Sequence, residues 1–475
     1  MSQSSRPNFL LITTDQQRFD TLRAAGNQSI WTPHLDWLCD TGIRFSNCYA
    51  DSPICAASRA TIMTGQHAWH HGQLGNGGIS PMSRLPTLPG TLTEAGYQTR
   101  AIGKMHFHPM QANYGFEHIQ LLTEYYREMQ RYGGPQPKEH GVGENEMVPV
   151  MTTTDETRTS THWTTQASID FLESRDPTRP FMLWSSFTKP HPPFDAPLSY
   201  WEIYDGITLP EPVFGDWSQD PEQVPLGFAG PTRMLNNIDR FSPEQVMAAR
   251  RAYYACISHV DYNLGLLFAR LREMDLLENT WIIFTSDHGE MLGDHHLGAK
   301  TIFCEGASHI PFLVRPPSGS WSPDERAGSV DDRLACLADL MPTILAEAGV
   351  AAPAGCDGNS LFGEERRETL IGACDKFHMV LDRGWKYQFC EEGGDELLFH
   401  LPDDPMEQKN CMKSHPDEAG RLRGVLNHSL RERKHPAAGE KRPEPTKPMP
   451  TIAQQRSKAW PGFHHPSIRD ADILH

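Results

Sequence analysis

The stretch NFLLITTD, residues 8–15, predicts a buried β-strand that ends on an acid, Asp15. A second stretch, WIIFTSDHGE (281–290), predicts another apolar strand that also runs into an acid, Asp287. Short apolar runs without a polar alternation are typical of strands that are covered on both faces. The two stretches therefore favour a sheet that lies between layers of helices.

Further strands and helices alternate along the first three quarters of the chain. TRAIG (99–103), PFMLWSSF (180–187) and HIPFLVRPP (309–317) predict strands, while 32–42 and 247–275 carry helical patterns. This alternation predicts an α/β sandwich with a large, mostly parallel central sheet. In such a fold, the loops at the carboxyl ends of the strands build the functional site.

The last quarter has a different character. After about residue 366 the short strands TLIGAC, HMVLD, KYQFC and ELLFH predict a small antiparallel sheet, followed by an amphipathic helix over 416–433. We therefore predict a large α/β domain over 1–365 and an α+β subdomain over 366–433. The remaining tail, 434–475, is rich in Pro, Lys and His, and it is either a disordered extension or an arm that packs on another subunit of a homo-oligomer.

Composition limits the partners of the chain. The formal net charge of −17 over 475 residues argues against binding to nucleic acid or to an anionic membrane surface. It does not exclude an anionic small molecule, because a local cationic pocket can override the mean field. The first apolar run is only six residues long, which is too short for a signal peptide or a membrane span, and the ten cysteines lack CxxC pairs. We therefore expect a cytoplasmic protein with reduced thiols.

Two pairs of possible metal ligands follow the apolar strands. Asp15 is followed by Gln16, and Asp287 is followed by His288. A carboxylate at the end of a buried strand is costly unless it is paired or bound to a metal. Either pair alone would more often have a capping or turn role, but together they can converge on one divalent cation.

Four cationic or potentially cationic side chains form a second group. Lys104 and His106 end one predicted strand, His191 lies in the loop after another, and Lys300 follows the DHG segment. A single exposed lysine is usually only solvated. Four such groups at strand ends would suit a tetrahedral oxyanion.

Two longer motifs give these residues a context. Cys55-Ala-Ala-Ser-Arg59, continuing to Met-Thr-Gly65, resembles the signature of the type I sulfatases within the alkaline phosphatase superfamily. GYQTRAIGKMH (96–106) resembles the second signature of that family, and SDHGEMLGDHHLGAK (286–300) is a further match. The resemblance covers about residues 7 to 411 and implies an alkaline phosphatase-like fold.

The resemblance also implies roles for individual residues. Cys55 would be oxidised to formylglycine by a maturase, and Arg59 would hydrogen-bond to it and orient it. One divalent cation, Ca2+ as first choice and Mn2+ as second, would be held by Asp15, Gln16, residue 55, Asp287 and His288. The sulfate oxygens would be bound, and the proton transfers assisted, by Lys104, His106, His191 and Lys300.

The sequence departs from the commoner family pattern at three positions. Ala57 stands where many members have Pro, Gln16 replaces the second acid of an Asp-Asp pair, and His288 stands where others have Asn. Ala57 makes conversion of Cys55 depend on the type of maturase in the host. The other two changes resemble the choline sulfatase and phosphonate monoester hydrolase branches.

Three functions remain in competition. The first is hydrolysis of an alkyl, aryl or sugar sulfate monoester, and the second is hydrolysis of a phosphonate monoester or phosphodiester with the same nucleophile. A diester carries a substituent on one non-bridging oxygen, so the retention of Lys104 and His106 favours a sulfate monoester. The third is a non-catalytic binding protein on the same fold, although no expected catalytic position is missing.

Overall fold

The computed structural model describes residues 6–131, 145–320 and 327–457. Two β-sheets organise these ranges. The strands of the large sheet, in chain order, are β1 (Asn8–Asp15), β2 (Ile43–Tyr49), β3 (Gln98–Gly103), β4 (His118–Leu121), β5 (Phe181–Pro190), β6 (Thr280–Ser286), β7 (Phe312–Arg315) and β8 (Ser329–Cys336). The strands of the small sheet are β9 (Thr369–Cys374), β10 (Phe377–Asp382), β11 (Trp385–Cys390) and β12 (Glu396–His400).

The large sheet has the order β4-β3-β5-β1-β6-β7-β2-β8. All neighbours are parallel except β7, which runs antiparallel to both β6 and β2. β1 lies between β5 and β6, so the two strands that end near Asp15 and Asp287 are hydrogen-bonded to each other. The predicted mostly parallel sheet is confirmed.

Helices connect and cover the strands. Their bounds are α1 (Pro33–Thr41), α2 (Cys55–Thr64), α3 (Ala68–His71), α4 (Leu88–Glu94), α5 (Leu122–Arg131), α6 (Ser160–Ser174), α7 (Leu198–Glu202), α8 (Leu226–Leu235), α9 (Pro243–Glu273), α10 (Glu305–Ser308), α11 (Leu340–Glu347), α12 (Pro416–Glu432) and α13 (Ile452–Ser457). None of the helices in the described ranges combines the length and the apolar character that a membrane crossing requires.

Both faces of β1 are buried, which explains its uninterrupted apolar sequence. Phe9 and Leu11 face a core that includes residues of α2, α4 and α11. Leu10 and Ile12 face a second core that includes residues of α1, α5, α6 and α9. The sheet therefore lies between two helical layers, as the α/β/α prediction requires.

The small sheet is antiparallel throughout, with the order β12-β11-β10-β9. One of its faces packs on α12, and the hydrophobic cluster between them includes Tyr387 and Leu398 of the sheet and Leu422 and Leu426 of the helix. The predicted helix over 416–433 is thus confirmed, with one residue less at its end. The predicted domain boundaries themselves stay a prediction.

The tail folds back on its own chain as far as Ser457. Thr446 donates from its backbone N–H to the Glu391 carbonyl, and α13 packs against α8, where Gln455 accepts a hydrogen bond from Arg233. Residues 434–457 thus contact their own chain, while the predicted arm on another subunit stays a prediction. The rest of the tail, 458–475, lies outside the described residues, and the homo-oligomer stays a prediction.

Candidate active site

The two predicted acids meet because their strands are neighbours in register. Thr14 of β1 pairs with Ser286 of β6, and the backbone N–H of Asp287 donates to the Thr14 carbonyl at 3.2 Å. Asp15 is the last residue of β1, and Asp287 directly follows β6. Both carboxylates therefore emerge at the same carboxyl edge of the sheet, where this type of fold builds its sites.

Cys55 reaches the same edge as the first residue of α2. The whole helix is buried, and it ends at Gly65, whose φ of 65° is the left-handed conformation that glycine adopts easily. The Asn76 side chain accepts a hydrogen bond from the backbone N–H of Ala56 at 3.0 Å, and it thereby supports the start of the helix. The positive end of the helix dipole thus lies at Cys55, where it favours a negative charge.

Four predicted ligands converge on one point. One ligand atom from each of Asp15, Cys55, Asp287 and His288 lies within 4.8 Å of the others, and all four residues are buried. The Cys55 sulfur is 3.8 Å from Asp15 Oδ1 and 3.2 Å from His288 Nε2. Such spacing is that of groups that can share one metal ion.

His288 has the tautomer that a metal ligand needs. Its Nδ1 lies 2.9 Å from the Gly289 carbonyl oxygen, which can only accept, so Nδ1 carries the proton. In the neutral ring, Nε2 then holds the lone pair that would bind a metal. A second hydrogen bond of this kind is the usual way in which proteins orient a ligating imidazole.

Arg59 lies behind the carboxylates. Its guanidinium donates to Asp287 Oδ2 at 3.0 Å and to Asp15 Oδ2 at 3.1 Å, and also to Ser186 Oγ and to the Lys104 carbonyl. The resemblance implied a bond from Arg59 to residue 55. In the structure, two of its four hydrogen bonds go to the two acids, because the guanidinium is buried between them, and its bond to residue 55 stays a prediction.

The four predicted cationic groups surround the same point. Lys104 Nζ lies 2.7 Å from Asp15 Oδ2, and Lys300 Nζ lies 2.9 Å from His191 Nε2. His106 and His191 are also close enough to Cys55 to affect the electrostatics there, since His106 contributes to the lowered pKa of Cys55 and Cys55 contributes to the pKa of His191. The structure therefore brings together every residue that the sequence assigned to the oxyanion site.

Charge at this site shifts the pKa values of its acids. Burial raises the pKa of Cys55, but Lys300, Lys104 and His288 together lower it well below its ordinary value. Burial and Cys55 raise the pKa of Asp15, yet Lys104, His191 and Arg59 hold it far below its usual range. Burial and the charge of Asp15 raise the pKa of Asp287. The two carboxyl groups thus have different proton affinities although they are neighbours.

The pKa values of the basic groups are also shifted in opposite directions. Burial, with Lys104 and Lys300, lowers the pKa of His191 to about 4, so this ring is neutral at neutral pH. Burial lowers the pKa of His288, but Asp287 and Cys55 raise it more. Asp15 and Cys55 likewise raise the pKa of Lys104 against the effect of burial.

Unusual backbone conformations occur at several of these positions. Gln16 has a φ of 72° and His106 a φ of 58°, while Lys300 lies between Ala299 (67°) and Thr301 (82°). Non-glycine residues rarely adopt positive φ, and such strain tends to accumulate at functional sites. The surrounding hydrogen bonds must stabilise these conformations.

Three further residues of the site were not predicted. Ser186 Oγ contacts Arg59 and donates to the Lys104 carbonyl, Tyr253 donates to the Gln16 carbonyl, and Glu290 accepts from the Gln16 side chain. Ser186 is the penultimate residue of the apolar run over 180–187, and Glu290 lies three residues after Asp287, so both could have been found from their positions near strand ends. Tyr253 is in the middle of a long helix and carried no such signal.

Comparisons with known proteins agree with this geometry. A family model described as sulfatase matches residues 7–350. The chain is 33% identical over 465 residues to an arylsulfatase of Clostridium perfringens, covering 90% of this chain and 95% of the relative. It is 30% identical to a choline-sulfatase of Rhizobium meliloti, covering 86% of this chain and 83% of the relative.

The fold has a close counterpart among solved structures. The phosphonate monoester hydrolase of Agrobacterium radiobacter superposes with a TM-score of 0.77 at 25% identity, covering 90% of this chain and 95% of that one. The alkaline phosphatase-like fold is thereby confirmed. The chain belongs to the sulfatase family, and it is an enzyme that hydrolyses sulfate esters.

Proposed function

We propose that this sulfatase cleaves a sulfate monoester with a formylglycine made from Cys55 and with one divalent cation. The observation that carries the proposal is the position of Cys55, whose sulfur lies 3.2 Å from His288 Nε2 and 3.8 Å from Asp15 Oδ1. A buried thiol with a purely structural role has no need of metal-type ligands on one side and lysines on the other.

The donor set fits a divalent cation. Asp15 Oδ1 and Asp287 Oδ1 face the site, and the amide oxygen of Gln16 lies beside Lys300. Oxygen donors of this kind suit Ca2+ as the first choice. The imidazole of His288 makes Mn2+ the second choice, because Mn2+ tolerates a nitrogen ligand better than Ca2+ does.

The nucleophile at residue 55 must be able to release the sulfate group that it has accepted. When formed, the hydrated aldehyde supplies two hydroxyls on one carbon, one for attack on sulfur and one for the later release of sulfate. Asp287 is the proposed proton acceptor on the cation side, because one of its carboxylate oxygens lies within 4.8 Å of the Cys55 sulfur. His106, which the family resemblance places among the groups that assist proton transfer, is the proposed acceptor for the proton of the second hydroxyl.

Lys300 is the proposed proton donor to the departing oxygen. His191 is a poorer donor, because its pKa of about 4 leaves the ring neutral at neutral pH. Its Nδ1 lies 2.8 Å from the Pro192 carbonyl, so Nε2 accepts a hydrogen bond from Lys300. His191 would therefore orient Lys300, which retains an N–H for the substrate. Lys104 would bind the sulfate oxygens directly.

The proposed substrates are alkyl, aryl or sugar sulfates. The names of the arylsulfatase and choline-sulfatase relatives support a monoester with a small organic leaving group. The structural likeness to a phosphonate monoester hydrolase keeps that activity as the second candidate. The cationic surroundings of Cys55, which suit a monoester with all its non-bridging oxygens free, favour sulfate.

Parallel assays test whether the substrate is a sulfate monoester or a phosphonate monoester. The converted enzyme should turn over 4-nitrophenyl sulfate faster than a phenylphosphonate monoester, and Cys55→Ala should lose both activities. Cys256→Ala, which alters a buried thiol of α9, is the matched control and should keep them. Faster turnover of the phosphonate would contradict the proposed substrate class, and full activity of Cys55→Ala would contradict the nucleophile.

A further inference from the structure

The side chain of Gln16 connects Glu290 with Lys300. Its Nε2 donates to Glu290 Oε2, and its Oε1 accepts from Lys300 Nζ at 2.6 Å. Its backbone is also fixed, because the N–H donates to Asp287 Oδ1 and the carbonyl accepts from Tyr253 Oη. All of these groups are buried.

The chemistry of the neighbours determines which end of the amide faces which way. A carboxylate only accepts hydrogen bonds and an ammonium only donates them. The NH2 of Gln16 must therefore face Glu290, and its oxygen must face Lys300. The reversed amide would place donor against donor at Lys300 and acceptor against acceptor at Glu290.

Glu290 is itself held rigidly. Its Oε1 accepts from the backbone N–H of Leu292 at 2.9 Å and of Ala299 at 2.6 Å, while its own carbonyl accepts from Arg18. The side chain is fully buried. Two backbone donors on one oxygen leave the other oxygen for Gln16 alone.

We propose that Glu290 is a positioning residue that aims the Gln16 carbonyl oxygen at the cation and at Lys300. The inference rests on the proposed function, since it requires that a divalent cation is bound beside Asp15 and Asp287. Glu290 is not proposed as a ligand of the substrate or of the cation. It acts through Gln16, by selecting the amide orientation and by polarising the amide toward its oxygen.

Glu290→Gln tests this role with almost no change of shape. The introduced amide would need its oxygen for the N–H groups of Leu292 and Ala299, so its NH2 would face the NH2 of Gln16. Gln16 would then have to reverse, and its donors would point at Lys300 and the cation. We expect the affinity for Ca2+ to fall about 10- to 100-fold.

An exchange of the two residues provides a second test. In Gln16→Glu combined with Glu290→Gln, the NH2 introduced at position 290 donates to the carboxylate introduced at position 16. The other oxygen of that carboxylate again faces Lys300, so all hydrogen bonds and the net charge are retained. We expect this double variant to recover most of the Ca2+ affinity that Glu290→Gln loses, whereas Gln16→Glu alone opposes two carboxylates and remains impaired.

The measurement is a calorimetric titration of metal-free protein with Ca2+, together with the electron paramagnetic resonance spectrum of bound Mn2+. Glu407→Gln, which alters a buried glutamate away from this site, is the matched control and should bind Ca2+ as the wild type does. Thermal melts without metal show whether each variant folds. The kcat of the converted Glu290→Gln enzyme should recover at saturating Ca2+ more fully than that of Lys300→Ala.

Two results would overturn the inference. One is an unchanged Ca2+ affinity and Mn2+ spectrum in Glu290→Gln, and the other is a double variant that binds Ca2+ no better than Glu290→Gln. Failure of the wild type to bind any divalent cation would instead contradict the proposed function as well. The two failures are thus distinguishable in one series of titrations.

Discussion

Arg59 is the side chain on which the arrangement of the two buried carboxylates depends. Its Nε lies 3.0 Å from Asp287 and its Nη2 lies 3.1 Å from Asp15, and none of the three side chains is exposed to solvent. A planar guanidinium can bridge two carboxylates, whereas the ammonium of lysine is a single point of charge. The site therefore depends on arginine at this position.

Arg59→Lys should remove the bridge between the two buried carboxylates, because the single ammonium can replace only one of the two ion pairs that Arg59 makes. Removing one member of a buried ion pair costs about 3 kcal/mol or more, so the free energy of unfolding in EDTA should fall by about that amount. Added Ca2+ should restore part of the loss, because a cation that binds only the folded state stabilises it. Denaturant titrations with and without Ca2+ measure both effects.

Arg100→Lys serves as the control, because Arg100 is partly exposed and its guanidinium bonds to the neutral side chain of Gln120. Its unfolding free energy should change by less than about 1 kcal/mol. Equal stability of Arg59→Lys and the wild type in EDTA would show that the bridge has no structural role.

The segment that follows β6 must approach α10 closely. A Cβ atom added to Gly289 would lie 2.1 Å from the Gly306 carbonyl oxygen, and one added to Gly306 would lie 2.6 Å from Arg18 Nη1. These small residues let the chain that carries Asp287, His288 and Glu290 pack against the helix. Packing of backbone on backbone thus sets the positions of three site residues.

Gly289→Ala should displace that segment, because a methyl group cannot fit at 2.1 Å from a backbone oxygen. We expect a lower melting temperature and at least a 10-fold loss of kcat, since small displacements of catalytic groups reduce rates strongly. Gly424→Ala in α12, where an added Cβ meets no atom within 4 Å, should be neutral or slightly stabilising. Normal activity of Gly289→Ala would refute the close-packing argument.

A buried network of charges joins the small sheet to α10. Lys386 of β11 contacts Glu305 at 2.6 Å and Glu407 at 2.7 Å, and all three are buried. Burial and the charge of Glu305 raise the pKa of Glu407 to about 7 despite Lys386. One lysine between two carboxylates thus leaves Glu407 partly protonated at neutral pH.

This network predicts a pH-dependent stability. Because the pKa of Glu407 is higher in the folded than in the unfolded chain, the folded state binds more protons between about pH 4.5 and pH 7. The contribution of Glu407 to stability is therefore present below this window and is lost as the pH rises through it. Relative to Glu407→Gln, the wild type should lose on the order of 1–3 kcal/mol of unfolding free energy.

Denaturant titrations at about pH 5 and about pH 8 measure this difference. Glu418→Gln on the surface of α12 is the control, and its difference from the wild type should not vary with pH by a comparable amount. A difference between the wild type and Glu407→Gln that is independent of pH would contradict the raised pKa.

Sequence reasoning reached the site because its residues lie at the ends of recognisable apolar strands. Asp15, Asp287 and Lys104 could be predicted to share one edge, and the motif around Cys55 added the nucleophile. The partners of Arg59 could not be predicted, since they lie 44 and 228 residues away in the chain. Pairing over such distances depends on strand order, which no local pattern contains.

The role of Glu290 and the packing of the tail could not be predicted for the same reason, because both depend on contacts between residues that are far apart in the chain. The role of Glu290 depends on a contact with Gln16 across 274 residues, although both were part of recognised motifs. The tail was interpreted from its composition alone, yet residues 434–457 bond to the small sheet and to α8. Composition predicts how well a segment can form its own core, but it does not show which existing surface can accept it.

The most direct test is to compare activity with the chemical state of residue 55. The chain is produced with and without a formylglycine-generating maturase, the peptide that contains residue 55 is weighed by mass spectrometry, and hydrolysis of 4-nitrophenyl sulfate is measured with Ca2+ present. We predict that kcat per molecule of protein rises in proportion to the converted fraction and falls to background at zero conversion. Full activity in protein whose Cys55 is entirely a thiol would contradict the account.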